Sequence, residues 1–158
     1  MRPEYIYLPS FVSSTRDVLE TMAFTTCYHQ KPTVRDDRLS WGDITGIIPI
    51  KSEKLSGTMI ISFEEECIVS IASRMLGEDF SKISTEVIDA VDELTNMISG
   101  GVKRELNNTG HNFDLAIPSV VIGKKVELSQ ISGVGLTLPF ATDNGSFVVE
   151  AEFKEEQS

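Results

Sequence analysis

The stretch from Ser84 to Gly110, STEVIDAVDELTNMISGGVKRELNNTG, limits the possible folds more than any other part of the chain. Val87, Val91, Leu94, Ile98 and Val102 recur at spacings of four, three, four and four, which stacks them into one apolar stripe along a helix. Such a helix must lay its stripe on a core. At about 100° per residue, Glu93 and Asn96 stand about 60° apart and nearly opposite the stripe, with Asp89, Asp92, Gly100 and Lys103 on the same open side. Ser84 is the expected N-cap, Glu86 suits the first turn, and Gly110 is expected to stop the helix. Gly100 and Gly101 each cost about 1 kcal/mol relative to alanine inside a helix, so both ask for close approach. Either another element of the same chain packs there, which suits Gly101, or a partner's backbone docks there, which suits Gly100.

The 158 residues are read as a single domain, 1–158, with short flexible ends at about 1–8 and 154–158. A formal charge of −10, from 24 acidic against 14 basic residues, argues against nucleic acid or an anionic membrane surface as the main partner. The opening MRPEYIYLPS is too short and polar for a signal sequence, and no apolar run approaches the roughly 20 residues of a membrane span. A cytoplasmic location is expected. Cys27 and Cys67 lie far apart with no C-x-x-C and no histidine at ligand spacing, so they are read as reduced thiols, with no metal site.

Along the chain, FVSSTRDVLETMAF (Phe11 to Phe24) reads as a first helix, with Met22 on its apolar side. A short strand is expected within Thr33 to Leu39. Asp43 to Lys51 and Leu55 to Phe63 read as a β-hairpin across the polar turn Ser52-Glu53-Lys54. Pro49 should place the first strand at an edge or mark a bulge. Glu64-Glu65-Glu66 suits a helix start and Gly77 its end. Strand is expected at Phe113 to Ile117, Ser119 to Ile122 and Val134 to Phe140. Asp143-Asn144-Gly145 is the strongest turn signal, and Phe147 to Phe153 alternates as a half-exposed last strand. The chain thus predicts an α+β fold of pseudo-duplicated helix plus β-hairpin units, a mainly antiparallel sheet packed with long helices, with the Glu64 to Leu76 helix between the halves. In that duplication Glu20-Thr21-Met22-Ala23 is set opposite Glu93-Leu94-Thr95-Asn96. The first copy keeps the acid at Glu20 and lacks the amide at Ala23, a degenerate second site.

Glu93 and Asn96 fit an E-x-x-N pattern, but so do Glu105 and Asn108. Glu105 falls within about 20° of the centre of the apolar stripe and is set aside. The plain reading of Glu93 and Asn96 is a solvated helix face with an i, i+3 contact. There is no G-x-S-x-G, Walker loop, dinucleotide fingerprint or H-E-x-x-H, and His29 and His111 have no partners at telling spacing.

The segment DAVDELTNMISGGVKREL, with ASRMLGEDF upstream, FDLAIPSVVIGKK downstream and the VLETMAF helix, resembles the CheC/CheX/FliY family of chemotaxis phosphatases, in particular its CheX branch. The resemblance implies hydrolysis of the aspartyl phosphate of a CheY-type receiver. Glu93 and Asn96 take the family's acid and amide positions, Asn96 orienting the attacking water and Glu93 pairing with the receiver's lysine. Asp89, Asp92, Gly100 and Lys103 would line the docking face. It further implies no cofactor of the chain's own, Mg2+ supplied by the receiver, one active helix where CheC-type members have two, and a homodimer formed through sheet edges. The alternative is a non-catalytic receiver-binding or motor-switch adaptor on the same fold.

Overall fold

The isoleucine-rich runs do form the expected hairpin, and it sits in the middle of a continuous sheet. The computed structural model describes residues 3–155. In chain order its elements are α1 (Pro3–Ala23), β1 (Tyr28–His29), β2 (Thr33–Arg35), β3 (Ile44–Lys51), β4 (Leu55–Phe63), α2 (Glu65–Leu76), α3 (Thr85–Asn108), β5 (Asp114–Leu115), β6 (Ser119–Ile122), β7 (Gly135–Thr142) and β8 (Gly145–Glu155). The sheet runs β1-β7-β8-β4-β3-β5, with β2 also on β7 and β6 also on β3. Every pairing is antiparallel.

The duplication is visible in this order. Helix, two short strands and a hairpin occur twice, with α2 between. Each half lends its short strands to the other: β1 and β2 lie on β7, and β5 and β6 lie on β3. The hairpins join along β4 and β8, from Leu55 opposite Glu155 to Phe63 opposite Phe147.

One face of the sheet carries the helices. Ile44, Ile48 and Ile50 of β3 and Met59, Ile61 and Phe63 of β4 share a core with the stripe of α3. All five stripe residues, Val87, Val91, Leu94, Ile98 and Val102, are 0% exposed, each contributing about 1.5–3 kcal/mol relative to exposure. On the other face Ile47 and Ile60 form a second cluster with Leu128 and Ile131 from the β6–β7 connection. Burial on both faces is why these strands read as unbroken apolar runs.

Several expectations need correction. The first helix starts at Pro3, not near Phe11, and Pro9 lies within it. Glu4 and Tyr7 are buried, Glu4 Oε1 accepts from the Phe153 N–H at 3.0 Å, and the Tyr7 ring meets Phe153 edge-on. These contacts outweigh the helical hydrogen bond that Pro9 removes. The flexible end expected at about 1–8 is therefore packed helix over residues 3–8. At the other end Lys154 and Glu155 pair with Ser56 and Leu55; residues 1, 2 and 156–158 lie outside the described residues. Met22 is 45% exposed. β3 is neither an edge nor bulged against β4. Its ladder is unbroken through Pro49 opposite Thr58, and Pro49's missing donor falls on the flank between β5 and β6.

The last strand differs most. β8 lies between β7 and β4 with both edges paired, and Glu150 and Glu152 are 2% and 8% exposed. Arg35 supplies the reason: its Nε lies 3.1 Å from Glu150 and its Nη2 3.2 Å from Glu152.

Candidate active site

α3 presents its apolar stripe to the core and its open side to solvent. Ser84 caps it, accepting from the Val87 N–H at 3.4 Å, and Gly110 follows its end with φ +95°. Glu93 and Asn96 are both exposed, one turn apart on that open side. Neither side chain has a hydrogen-bond or ion-pair partner among the described residues. Asp89 is exposed; Asp92, Gly100 and Lys103 are half-buried. Lys103 Nζ stands 3.9 Å from Asp114 on β5, an exposed pair worth about 0–1 kcal/mol.

A carboxylate that only accepts and a carboxamide that both donates and accepts can orient a water and a cation. The pair itself contains no nucleophile, so its chemistry is that of positioning. Among the described residues no group of three or more His, Cys, Asp or Glu is placed to hold a metal ion.

The paired glycines divide between the two uses expected of them. A Cβ at Gly101 would lie 2.1 Å from the Ser14 Oγ of α1, whereas one at Gly100 would meet nothing nearer than Arg104 at 3.7 Å. Gly101 closes the interface between the helices; Gly100 leaves the open side bare.

The counterpart of the site on α1 is not where the motif alone puts it. The buried positions of α1 include Glu4, Tyr7, Phe11, Thr15, Val18, Leu19 and Ala23, and those of α3 include Val87, Ala90, Leu94, Ile98, Gly101, Val102 and Leu106. With Ser14 on α1 and Val91, Thr95 and Ser99 on α3 set aside, the two series have the same spacing. Ala23 therefore matches Leu106, and it is wholly buried, while exposed Glu20 matches Lys103. Ser10 and Ser13 occupy the places of Glu93 and Asn96. The assignment of Glu20 and Ala23 as the degenerate site is corrected accordingly: an i, i+3 match in sequence ignores which side of the helix faces the core.

The other polar residues have structural settings. Glu105 is half-buried. His111 packs edge-on against Tyr7 with ring centroids 5.3 Å apart, and His29 meets Phe140 at 6.4 Å. Cys27 and Cys67 are free and buried; burial pushes their thiols up to about 11 and about 12, which keeps them protonated and unreactive. The sequence reading missed the Arg35, Glu150 and Glu152 cluster. Its only trace was two acids in a strand, and their partner lies more than a hundred residues earlier.

Comparison with known proteins agrees with this architecture. The sequence model of the family described as chemotaxis phosphatase CheX matches residues 44–141, a span that contains all of α3. The chain belongs to that family. It is 30% identical over 88 residues to a CheY-P phosphatase CheX of Thermotoga maritima, a match that covers 55% of this chain and only 56% of that relative. Its fold resembles the chemotaxis protein CheX of Vibrio vulnificus at TM-score 0.85 and 35% identity, covering 94% of this chain and 99% of the other. A chain of the CheX-CheY-BeF3-Mg+2 complex from Borrelia burgdorferi superposes at TM-score 0.79 with 21% identity, over 94% and 98% of the two chains. That last likeness is one of fold.

Proposed function

We propose that this chain, acting as one cytoplasmic domain, hydrolyses the aspartyl phosphate of a CheY-type response-regulator receiver. The observation that carries the reading is the placement of Glu93 and Asn96: exposed, adjacent and unpartnered on a helix whose other side is fully buried. An acyl phosphate is already reactive, so the attacking water mainly needs alignment with the phosphorus. The Asn96 carboxamide accepts a hydrogen bond from that water or donates to its oxygen. Water oxygen bonds to phosphorus as the aspartyl C–O–P oxygen leaves, the receiver's carboxylate is regenerated, and inorganic phosphate departs with the water's proton lost to solvent. Glu93 pairs with the receiver's lysine and sets α3 in register. Mg2+, which the receiver would hold, would offset charge on the phosphoryl oxygens. Asp89, Asp92 and Lys103 form the rim of the docking face, and bare Gly100 lets the receiver's backbone approach.

The deciding experiment is phosphate release from a phosphorylated receiver with and without the protein. Asn96→Ala is expected to abolish the acceleration while leaving receiver binding nearly intact. Equal release with and without wild-type protein, at saturating receiver, would leave the non-catalytic adaptor. We further infer a homodimer through sheet edges. The paired β8 cannot serve, but the outer edge of β5 and β6 exposes Ile117 at 88% and Ile122 at 55%, and an unprotected apolar edge calls for cover. A monomer by light scattering at micromolar concentration would count against this.

A further inference from the structure

Two close contacts bracket Asn96 on the buried side of α3. The Ser14 hydroxyl of α1 donates to the Ile98 carbonyl at 2.7 Å, an approach open only because position 101 is glycine, where a Cβ would stand 2.1 Å from Ser14 Oγ. The Thr95 hydroxyl donates to the Val91 carbonyl at 2.7 Å and presses on β3 where position 46 is glycine, whose Cβ would stand 2.0 Å from Thr95 Oγ1. Thr95 precedes Asn96 directly and Ile98 follows two positions later. The first contact fixes the helix against α1, the second against the sheet.

Neither contact has a counterpart at the positions that the duplication relates to these. By the burial spacing of the helices, Val18 stands for Gly101, Met97 for Ser14 and Val12 for Thr95. In the hairpins Gly46 faces Ile61 and Leu136 faces Ala151 at the matching place, so Leu136 stands for Gly46. Full-sized apolar side chains fill the counterpart positions, and a core tolerates either solution if volume is kept. The two glycines belong to α3, the helix that bears the amide, and to the strand beneath it; α1, which bears Ser10 and Ser13, has no glycine and contributes the Ser14 hydroxyl.

We propose that Ser14 and Gly46 are positioning residues for Asn96, setting the height and rotation of α3 so that the carboxamide holds water in line with the phosphorus. The proposal rests on the phosphatase reading. A displacement of about 1 Å at a positioning group costs up to about 100-fold in rate. A Cβ at position 46 would stand 2.0 Å from Thr95 Oγ1, so that helix and strand would have to move apart, while Ser14 holds the helix by its hydrogen bond to Ile98.

Ser14→Ala, Gly46→Ala and the double variant Gly46→Ala/Thr95→Ala are to be compared with wild type in steady-state phosphate release from phosphorylated receiver. Thermal unfolding and binding to a receiver carrying a non-hydrolysable phosphoryl mimic are measured alongside. Ser14→Ala is expected to lower kcat about tenfold at unchanged KM, and Gly46→Ala by up to about 100-fold. Adding Thr95→Ala removes the colliding oxygen and should restore most of kcat. A purely structural role would instead reduce the folded fraction and leave kcat per folded molecule unchanged. If Gly46→Ala fails to fold, Ser14→Ala decides alone. Wild-type kcat in folded Ser14→Ala overturns the positioning proposal and leaves the phosphatase reading standing. A wild-type chain that releases no phosphate overturns both.

Discussion

In the β3–β4 hairpin Ile47 faces Ile60 across the strands, and in the β7–β8 hairpin Thr137 faces Glu150 at the same place. Beside the first pair lies Val121, opposite Thr45; beside the second lies Arg35, opposite Gly135. One half of the back face is therefore apolar and closed by Leu128 and Ile131. The other is ionic: Arg35 sits between Glu150 and Glu152, and the Ser132 and Gly133 N–H groups donate to Glu152 at 2.6 and 3.2 Å. The helix faces diverge in the same manner, Glu93 and Asn96 on α3 against Ser10 and Ser13 on α1. The plan common to the halves is what strand pairing and apolar helix spacing dictate. Side chains outside that plan are free to differ, and the chemistry lies among them.

The comparison would break most visibly at Arg35. Arg35→Leu leaves two buried carboxylates without their cation and is expected to cost about 3–5 kcal/mol in urea unfolding. Copying the apolar half, with Arg35→Val, Glu150→Ile, Glu152→Ser and Thr137→Ile together, should recover most of that loss, because a hydrophobic replacement of a buried ion cluster is commonly neutral or better. If the fourfold variant is as unstable as Arg35→Leu, the two back faces are not interchangeable and the symmetry is only one of backbone.

The next largest effect compares the helix faces. Asn96→Ala should slow receiver dephosphorylation by about 100-fold or more, which is about 2.7 kcal/mol of barrier. Ser13→Ala, at the matching place on α1, should leave the rate unchanged. Equal losses in the two variants would mean that both faces act.

The adjacent glycines sharpen the comparison within α3, since they should respond with opposite signs. Gly101→Ala drives a methyl into Ser14 and is expected to destabilise by about 1–3 kcal/mol. Gly100→Ala meets only the Arg104 side chain, at an ordinary contact distance of 3.7 Å, and should stabilise by about 1 kcal/mol, while weakening receiver binding in a titration. Stabilisation by both would remove the close contact between α1 and α3.

Much of this was legible in the sequence because it is local. The α3 stripe, the hairpin bounds and the turn before Gly145 follow from periodicity and turn chemistry within a few residues. Two of the failures are cases where a distant residue decides. Tyr7 and Glu4 hold the first turns of α1 against the proline signal through Phe153. Glu150 and Glu152 read as a wet face because Arg35 is far away in the chain. The Glu20 and Ala23 assignment failed differently: it matched letters, and the burial spacing that matches the helices shows only in three dimensions.

Glu150 gives the smallest effect and the most specific one. Burial raises its carboxyl above the ordinary value, with Thr137 and Arg35 acting in the opposite direction, and its Oε1 has no hydrogen-bond partner. A carboxyl with a folded-state pKa above its unfolded value holds its proton more tightly when folded. Its contribution is fully present below the unfolded pKa and is lost as pH rises through the folded one. Stability should therefore fall over that window by at most about 1.4 kcal/mol per pH unit from this group. Glu150→Gln keeps the shape and an acceptor for Thr137 but has no proton to lose, so its unfolding free energy should lack this part of the slope. Parallel pH profiles for wild type and Glu150→Gln would mean that Arg35 neutralises Glu150 as fully in the folded chain as water does in the unfolded one.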